Sequence, residues 1–220
     1  MKIRALENND PSVPCPTPVF RILHIDSLDT VLKRGGMHAG NFTPADGLPY
    51  RTIHDIGVQD YRRSFSVPDG RYLHDFLPFY FGTRSPMLYR LFKNSVEGYN
   101  EGQEPIIYLV LRAQDFEAPG FDFLFTDSQA NKNFTRYYDD LADLDKLDWI
   151  TIYRKYWGDV SEDVGRRGRK QAEFLVYKEC PFEAVRAITV FDERYRERVM
   201  EVLARHGHDL PVKITREWYY

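Results

Sequence analysis

The sequence predicts an α+β fold, and three observations carry that prediction. Short segments rich in β-branched and aromatic residues recur along the chain, as strands require. Between them lie amphipathic stretches whose apolar residues return at helical spacing. The two kinds interleave irregularly, with too little strict strand–helix alternation for a doubly wound parallel sheet. At 220 residues the chain suits one domain with a sizeable core.

Residues 1–15 read as an extended leader, because Pro11, Pro14, Pro16 and Pro18 exclude helix. A first strand is expected over 19–24. A short helix follows, capped at Asp26 or Ser27, with Leu28, Val31 and Leu32 inward and Gly35-Gly36 as its stop. Residues 37–71 form a long Gly-, Pro-, Asp- and Arg-rich connection, and a connection of that length is usually functional or disordered. Residues 59–63 within it suit a turn of helix. A second strand is expected over 77–82, then a helix opened by Ser85 as N-cap and Pro86 as first residue. The unbroken apolar run 106–111 suits a central strand covered on both faces. Residues 121–126 form a fourth strand, leading into the polar loop 127–133. Helices are expected over 134–141 and 146–156, and a strand follows at Glu173. Next come a strand over 187–191, a helix capped by Asp192 and stopped at Gly207, and a closing strand over 212–218.

A formal net charge of −3 argues against a non-specific nucleic-acid coat but leaves room for a local basic groove. Two cysteines, Cys15 and Cys180, supply neither a disulfide framework nor metal-ligand spacing, which fits a reducing cytoplasm. The first ten residues lack the apolar segment of a signal peptide, and no apolar run approaches the ~20 residues of a membrane span. A soluble cytoplasmic protein without a membrane segment is therefore expected. The fingerprints G-x-G-x-x-G, G-x-x-x-x-G-K-[ST], H-E-x-x-H and G-x-S-x-G are all missing, and the six histidines are scattered. This disfavours dinucleotide dehydrogenases, P-loop enzymes and zinc hydrolases. It leaves an enzyme or binding module that works with arginines and one or two carboxylates.

The stretch from Arg166 to Lys178 concentrates that chemistry. Arg166, Arg167, Arg169 and Lys170 precede a strand entered by one carboxylate, Glu173. Such a strand end beside cations suits an anionic substrate. Glu173 as a solvated strand-end residue, and the basic run as a solvated loop, are the plain alternatives.

Four blocks in order resemble the DarT family of DNA ADP-ribosyltransferase toxins. They are Pro16-Thr17-Pro18-Val19-Phe20-Arg21-Ile22-Leu23-His24-Ile25-Asp26, Leu73-His74-Asp75-Phe76-Leu77-Pro78-Phe79-Tyr80-Phe81, Arg84-Ser85-Pro86-Met87-Leu88-Tyr89 and Ala172-Glu173-Phe174-Leu175-Val176. The resemblance extends to the terminal Trp218-Tyr219-Tyr220. It implies an ADP-ribosyltransferase-like split mixed β-sheet with flanking helices and NAD in the cleft between its halves. It implies that ADP-ribose is transferred from NAD to a base in single-stranded DNA, with thymine the first candidate, releasing nicotinamide and requiring no metal. The family's catalytic glutamate falls on Glu173 and its essential arginine on Arg62, with Arg63 adjacent. Its NAD contacts fall on Arg21, Ile22 and Leu23, with Thr30 and His38 as further contacts. Tyr80 is a candidate for stacking on nicotinamide or for the core, since aromatics serve both.

The residue types suit that chemistry. Breaking the nicotinamide–ribose bond builds positive charge on the ribose, as in glycoside cleavage, and a carboxylate stabilises it. Guanidinium stays protonated, so Arg62 is read as orienting the acceptor base and stabilising its anion, with Arg62, Arg63 and Arg84 as candidate pyrophosphate contacts. Arg84, Arg154, Arg166, Arg167, Arg169 and Lys170 are the expected DNA-backbone contacts, and loop 127–133 the expected base reader. A toxin of this kind implies a macrodomain antitoxin as partner. The rival readings are an ADP-ribosyltransferase aimed at guanine, RNA or protein, and a non-catalytic NAD- or nucleic-acid-binding module.

Overall fold

The computed structural model describes residues 13–220, so most of the expected leader over 1–15 lies outside the described residues. Ten strands and six helices make up the regular structure of that region. In chain order these are β1 (Pro18–His24), α1 (Leu28–Lys33), β2 (Gly36–His38), α2 (Ile56–Ser64), β3 (Phe76–Tyr80), α3 (Pro86–Phe92), β4 (Ile106–Arg112), β5 (Phe123–Thr126) and β6 (Tyr137–Tyr138). They continue with α4 (Trp149–Tyr153), α5 (Arg166–Arg169), β7 (Glu173–Tyr177), β8 (Glu179–Pro181), β9 (Ala187–Val190), α6 (Glu193–Arg205) and β10 (Val212–Ile214).

Eight strands form one sheet in the order β10-β9-β4-β1-β3-β7-β5-β6, while β2 and β8 pair separately. Only β10 and β9 run parallel; the remaining ladders are antiparallel. The sheet is split in the middle. β1 pairs with β4 along all seven of its residues, from Pro18↔Arg112 to His24↔Ile106, yet meets β3 only at Phe20↔Tyr80. From that single point the two halves diverge, and the Arg21 guanidinium bridges the opening by donating from Nη1 to the Pro78 carbonyl at 2.8 Å.

The apolar run of β4 is buried from Ile106 to Val110 and on through Leu111, as a central strand covered on both faces must be. α6 begins where the Asp192 carboxylate accepts from the Tyr195 amide, and its buried Tyr195, Val199 and Leu203 face the core. Ser85 caps α3 through the Leu88 amide with Pro86 at the first turn.

Three expectations change. Residues 134–141 are not helical: Tyr137 and Tyr138 form β6 against β5, and Phe134 stands 96% exposed with no core to join. Tyr138 stacks on Phe125 at 5.2 Å while the Tyr137 hydroxyl donates to the Ala130 carbonyl, so the two neighbours point opposite ways, as a strand requires. The helix expected over 146–156 is only α4, preceded by a 3-10 segment at Leu141–Lys146. The last strand ends at Ile214, and Arg216–Trp218 is a 3-10 turn that packs Trp218 on Phe20 and Tyr108.

Candidate active site

The sheet opening leads to a cavity of about 530 Å³, within the usual range for small-molecule sites. Its walls come from β1, β2, α2, β3 and the connection between β2 and α2, with Ile22, His38, Gln59, Arg62, Tyr80 and Met87 among the lining residues. No carboxylate lines it among the described residues.

Glu173 is the first residue of β7 and is 5% exposed. Register places it opposite Tyr80. Its Oε2 accepts from Arg62 Nη1 at 2.8 Å and its Oε1 from the Ala130 amide at 3.1 Å. The Glu173 amide in turn donates to Thr126 Oγ1 at 3.0 Å, fixing the backbone that carries the carboxylate. Arg62 reaches the pair from α2, whose N-terminus is capped by Asp55 accepting from the Val58 amide. Arg62 is 7% exposed, and its Nη2 is buried without a hydrogen-bond partner among the described residues. A buried guanidinium with one hand on the carboxylate and one donor unused is arranged to meet a further acceptor. Of the two adjacent arginines, Arg62 holds this place; Arg63 is exposed and pairs with Asp60.

Tyr80 and Arg21 lie in the same wall. Burial pushes the Tyr80 phenol up to about 12, reinforced by the negative charge of Glu173, so it stays a neutral ring and donor. Arg21, Ile22, His38, Arg62 and Tyr80 are thus gathered at one cavity, with Glu173 joined to it through Arg62. Two expected contacts are not. Leu23 is 1% exposed in the core, and the Thr30 hydroxyl donates to the Pro49 carbonyl at 2.5 Å. Thr30 therefore pins the segment that borders the cavity and does not line it.

The expected DNA contacts divide similarly. Arg154 and Arg167 are exposed. Arg166 is paired with Asp163, and Arg169 with both Asp163 and Asp148. Arg84 adopts a left-handed φ of 53° and lies over the Tyr220 ring. Lys170 is a correction: it is 3% exposed and turned inward, donating from Nζ to the Ile152 carbonyl at 2.6 Å and the Arg154 carbonyl at 3.0 Å. Burial, with Arg84 nearby, lowers its amine to about 7. It closes the end of α4 and is no surface cation. The basic run is itself partly helical, as α5, and touches the polar loop: the Gln129 amide donates to the Gly168 carbonyl at 3.0 Å. A Cβ on Gly168 would come within 2.7 Å of Ser128 Oγ, so glycine permits this approach.

Beyond the cavity, a shallow groove joins the start of α2 to the loop after β5. Asp55, Gly57, Val58 and Tyr61 line one side, and Gln129, Asn131, Lys132 and Phe134 the other. Ala130, which holds Glu173 Oε1, lies within that loop. Sequence reasoning named the loop but missed the α2 side, along with His54, His74 and Gln59 in the cavity. These three come from irregular stretches and one helix face, with no periodicity or spacing to single them out.

The sequence profile of the DarT family, described as "ssDNA thymidine ADP-ribosyltransferase", matches residues 20–220. This chain belongs to the DarT family. A DarT relative from Thermus sp. (strain 2.9), named "DNA ADP-ribosyl transferase", is 39% identical over 211 residues, covering 94% of this chain and 98% of its own. Thermus sp. 2.9 DarT in complex with ADP-ribosylated ssDNA superposes with a TM-score of 0.88 at 38% identity, over 95% of this chain and 99% of that one. The same protein in complex with NAD+ gives 0.83 at 38% identity, over 95% and 100%. A more distant relative from Thermosipho africanus, a "DNA ADP-ribosyl transferase-DNA ADP-ribosyl glycohydrolase fusion protein", is 23% identical over 195 residues, covering 88% of this chain and 47% of the fusion. The split sheet with flanking helices is thus the DarT architecture.

Proposed function

We propose that the protein transfers ADP-ribose from NAD to a thymine base in single-stranded DNA, with Glu173 and Arg62 as its catalytic pair. The observation that carries this is the buried Arg62–Glu173 contact of 2.8 Å joined to a cavity without carboxylates, in a chain of the DarT family. NAD is the donor substrate. Its diphosphate needs a cationic surround, and the buried donor Arg21 Nε lacks a protein partner among the described residues.

Each residue has a task. Backbone groups of Arg21 and Ile22, at the diverging edge of β1, are placed to hold the nicotinamide carboxamide, with Tyr80 against the ring. The Glu173 carboxylate accepts from a ribose hydroxyl and stabilises the cationic ribose as the bond from its anomeric carbon to the nicotinamide nitrogen breaks. The acceptor base gives up the proton of a ring nitrogen to solvent, the new bond joins that nitrogen to the anomeric carbon, and nicotinamide leaves neutral. Arg62 Nη2 orients a base oxygen and stabilises the anion that the base becomes between proton loss and bond formation.

The groove between α2 and loop 127–133 is the acceptor site in this reading. Tyr61, 48% exposed, and Phe134 offer stacking faces, and Asn131 and Gln129 offer amide groups for a base edge. Arg154 and Arg167 lie along the route of the strand. A glycohydrolase that reverses the modification, of macrodomain type, is the partner this implies, in keeping with the fused pair in the Thermosipho relative. Incubation with NAD and single-stranded oligonucleotides that contain or lack thymine tests the substrate: a mobility shift confined to thymine-containing strands is expected. Modification of thymine-free strands, or of duplex alone, would contradict the assignment.

A further inference from the structure

The loop between β5 and β6 is fastened at several points. The Asp127 amide donates to the Arg136 carbonyl, and the Arg136 amide to Asp127 Oδ1 at 3.0 Å, which closes the loop at its base. Thr126 Oγ1 accepts from the Glu173 amide and donates to the Ser128 carbonyl at 2.7 Å. Thr135 Oγ1 donates to the Gln129 carbonyl at 2.7 Å. Gln129 and Asn131 line the groove, while Ala130 between them is fully buried.

At Ala130 this frame meets the chemistry. Its amide donates to Glu173 Oε1 at 3.1 Å, and its carbonyl accepts from the Tyr137 hydroxyl. Only two soft backbone torsions separate that donor from that acceptor, so holding the carbonyl holds the amide. Tyr137 reaches in from the sheet edge, where β6 pairs with β5 at Thr126↔Tyr137. Its ring packs against the small cluster of Val67, Leu73, Phe76, Ala130 and Leu175. Ring and hydroxyl thus have separate tasks. Burial raises the phenol above the ordinary tyrosine value and the negative charge of Glu173 raises it further, so the hydroxyl stays a donor.

We infer that Tyr137 is a positioning residue for the transfer, setting through Ala130 the register between the groove and the Glu173 carboxylate, which rests on Glu173 being the catalytic carboxylate. The hydroxyl matters because Ala130 is out of reach of water. Its loss strips a buried carbonyl of the hydrogen bond it makes here, a costly state that the loop relaxes to escape. The Ala130 amide then shifts off Glu173, and Gln129 and Asn131 shift with it. The effect falls on transfer and spares donor binding, since neither Tyr137 nor Ala130 lines the cavity.

Tyr137→Phe keeps the ring and removes the donor. At saturating NAD and oligonucleotide, kcat for modification of a thymine-containing strand is expected to fall about tenfold, the rate equivalent of one neutral hydrogen bond. The Kd for NAD should not change. In amide hydrogen exchange of the full chain followed by NMR, the Ala130 amide should be protected in the wild type and exchange faster in Tyr137→Phe. A variant that melts earlier yet transfers at the wild-type kcat where it is folded has lost structural support alone, and overturns the inference. A wild-type Ala130 amide that exchanges as fast as that of exposed Asn133 overturns it too, and this measurement needs no variant to fold. Glu173→Gln tells the two readings apart. If it is inactive while Tyr137→Phe is fully active, the positioning role alone falls; if it is fully active, the catalytic pair falls.

Discussion

At the scale of single residues, the candidate site is a buried ion pair whose cation keeps one donor in reserve. Glu173 is held by Arg62 and by the Ala130 amide, while Arg62 retains a donor without a partner. Arg62→Lys replaces a planar fork with a point charge that cannot serve carboxylate and base together. We expect transfer to DNA to fall by about 100-fold or more, the size of effect seen when one stabilising donor is lost, measured as initial rate on a thymine-containing oligonucleotide. Lys170 yields a different prediction. Its amine sits near 7 in the folded chain, well below an exposed lysine, so between about 7 and 10 the unfolded chain binds a proton that the folded chain does not. Stability from this residue is therefore gained as pH rises through that window. Denaturant titrations at pH 6.5 and pH 9 should show the gain, and Lys170→Met should reduce it.

At the scale of elements, close backbone approach and capping position the site. β2 lies against β8 so tightly that a Cβ on Gly36 would meet the Cys180 carbonyl oxygen at 2.4 Å. Backbone cannot yield as a side chain does, so Gly36→Ala should destabilise the fold by about 1–3 kcal/mol, a typical overpacking cost. It should also weaken NAD binding, because His38 belongs to β2 and to the cavity wall. Calorimetric melting and NAD titration of the same variant check both effects. The Asp192 cap of α6 lines neither the cavity nor the groove. Asp192→Ala should cost about 1 kcal/mol, as cap removal usually does, with DNA modification retained at temperatures where the variant is folded. Elements with their own signals were legible in the sequence: the unbroken run of β4, the Ser85-Pro86 opening of α3, and the Asp192 cap. β6 was not, because two tyrosines carry no period, and their pairing with β5 is decided by tertiary contacts with Phe125 and Ala130. β2 and β8, three residues each, were lost in a stretch that reads as loop.

At the scale of the molecule, a sheet that pairs fully on one side of β1 and at a single point on the other opens the cavity beside β3, whose other edge pairs with the strand that carries Glu173. Glu173 could be named from the sequence because a strand delivers it beside a basic run, and Arg62 because the family resemblance supplied it. The cavity-lining histidines could not, since only the folded path of residues 37–75 brings His54 and His74 to one place. The same holds for Lys170, which reads as part of a basic run until its inward turn is seen. The described region contains no group of His, Cys, Asp and Glu suited to hold a metal ion and no helix long and apolar enough to cross a membrane. The most direct test of the catalytic assignment is intact-mass spectrometry of a thymine-containing single-stranded oligonucleotide after incubation with NAD and either wild-type protein or Glu173→Gln. The account predicts a gain of one ADP-ribose on a thymine with the wild type, and at least a 100-fold slower gain with a variant that still binds NAD. Equal modification by both proteins, or a DNA mass that never changes while NAD is consumed, would contradict it.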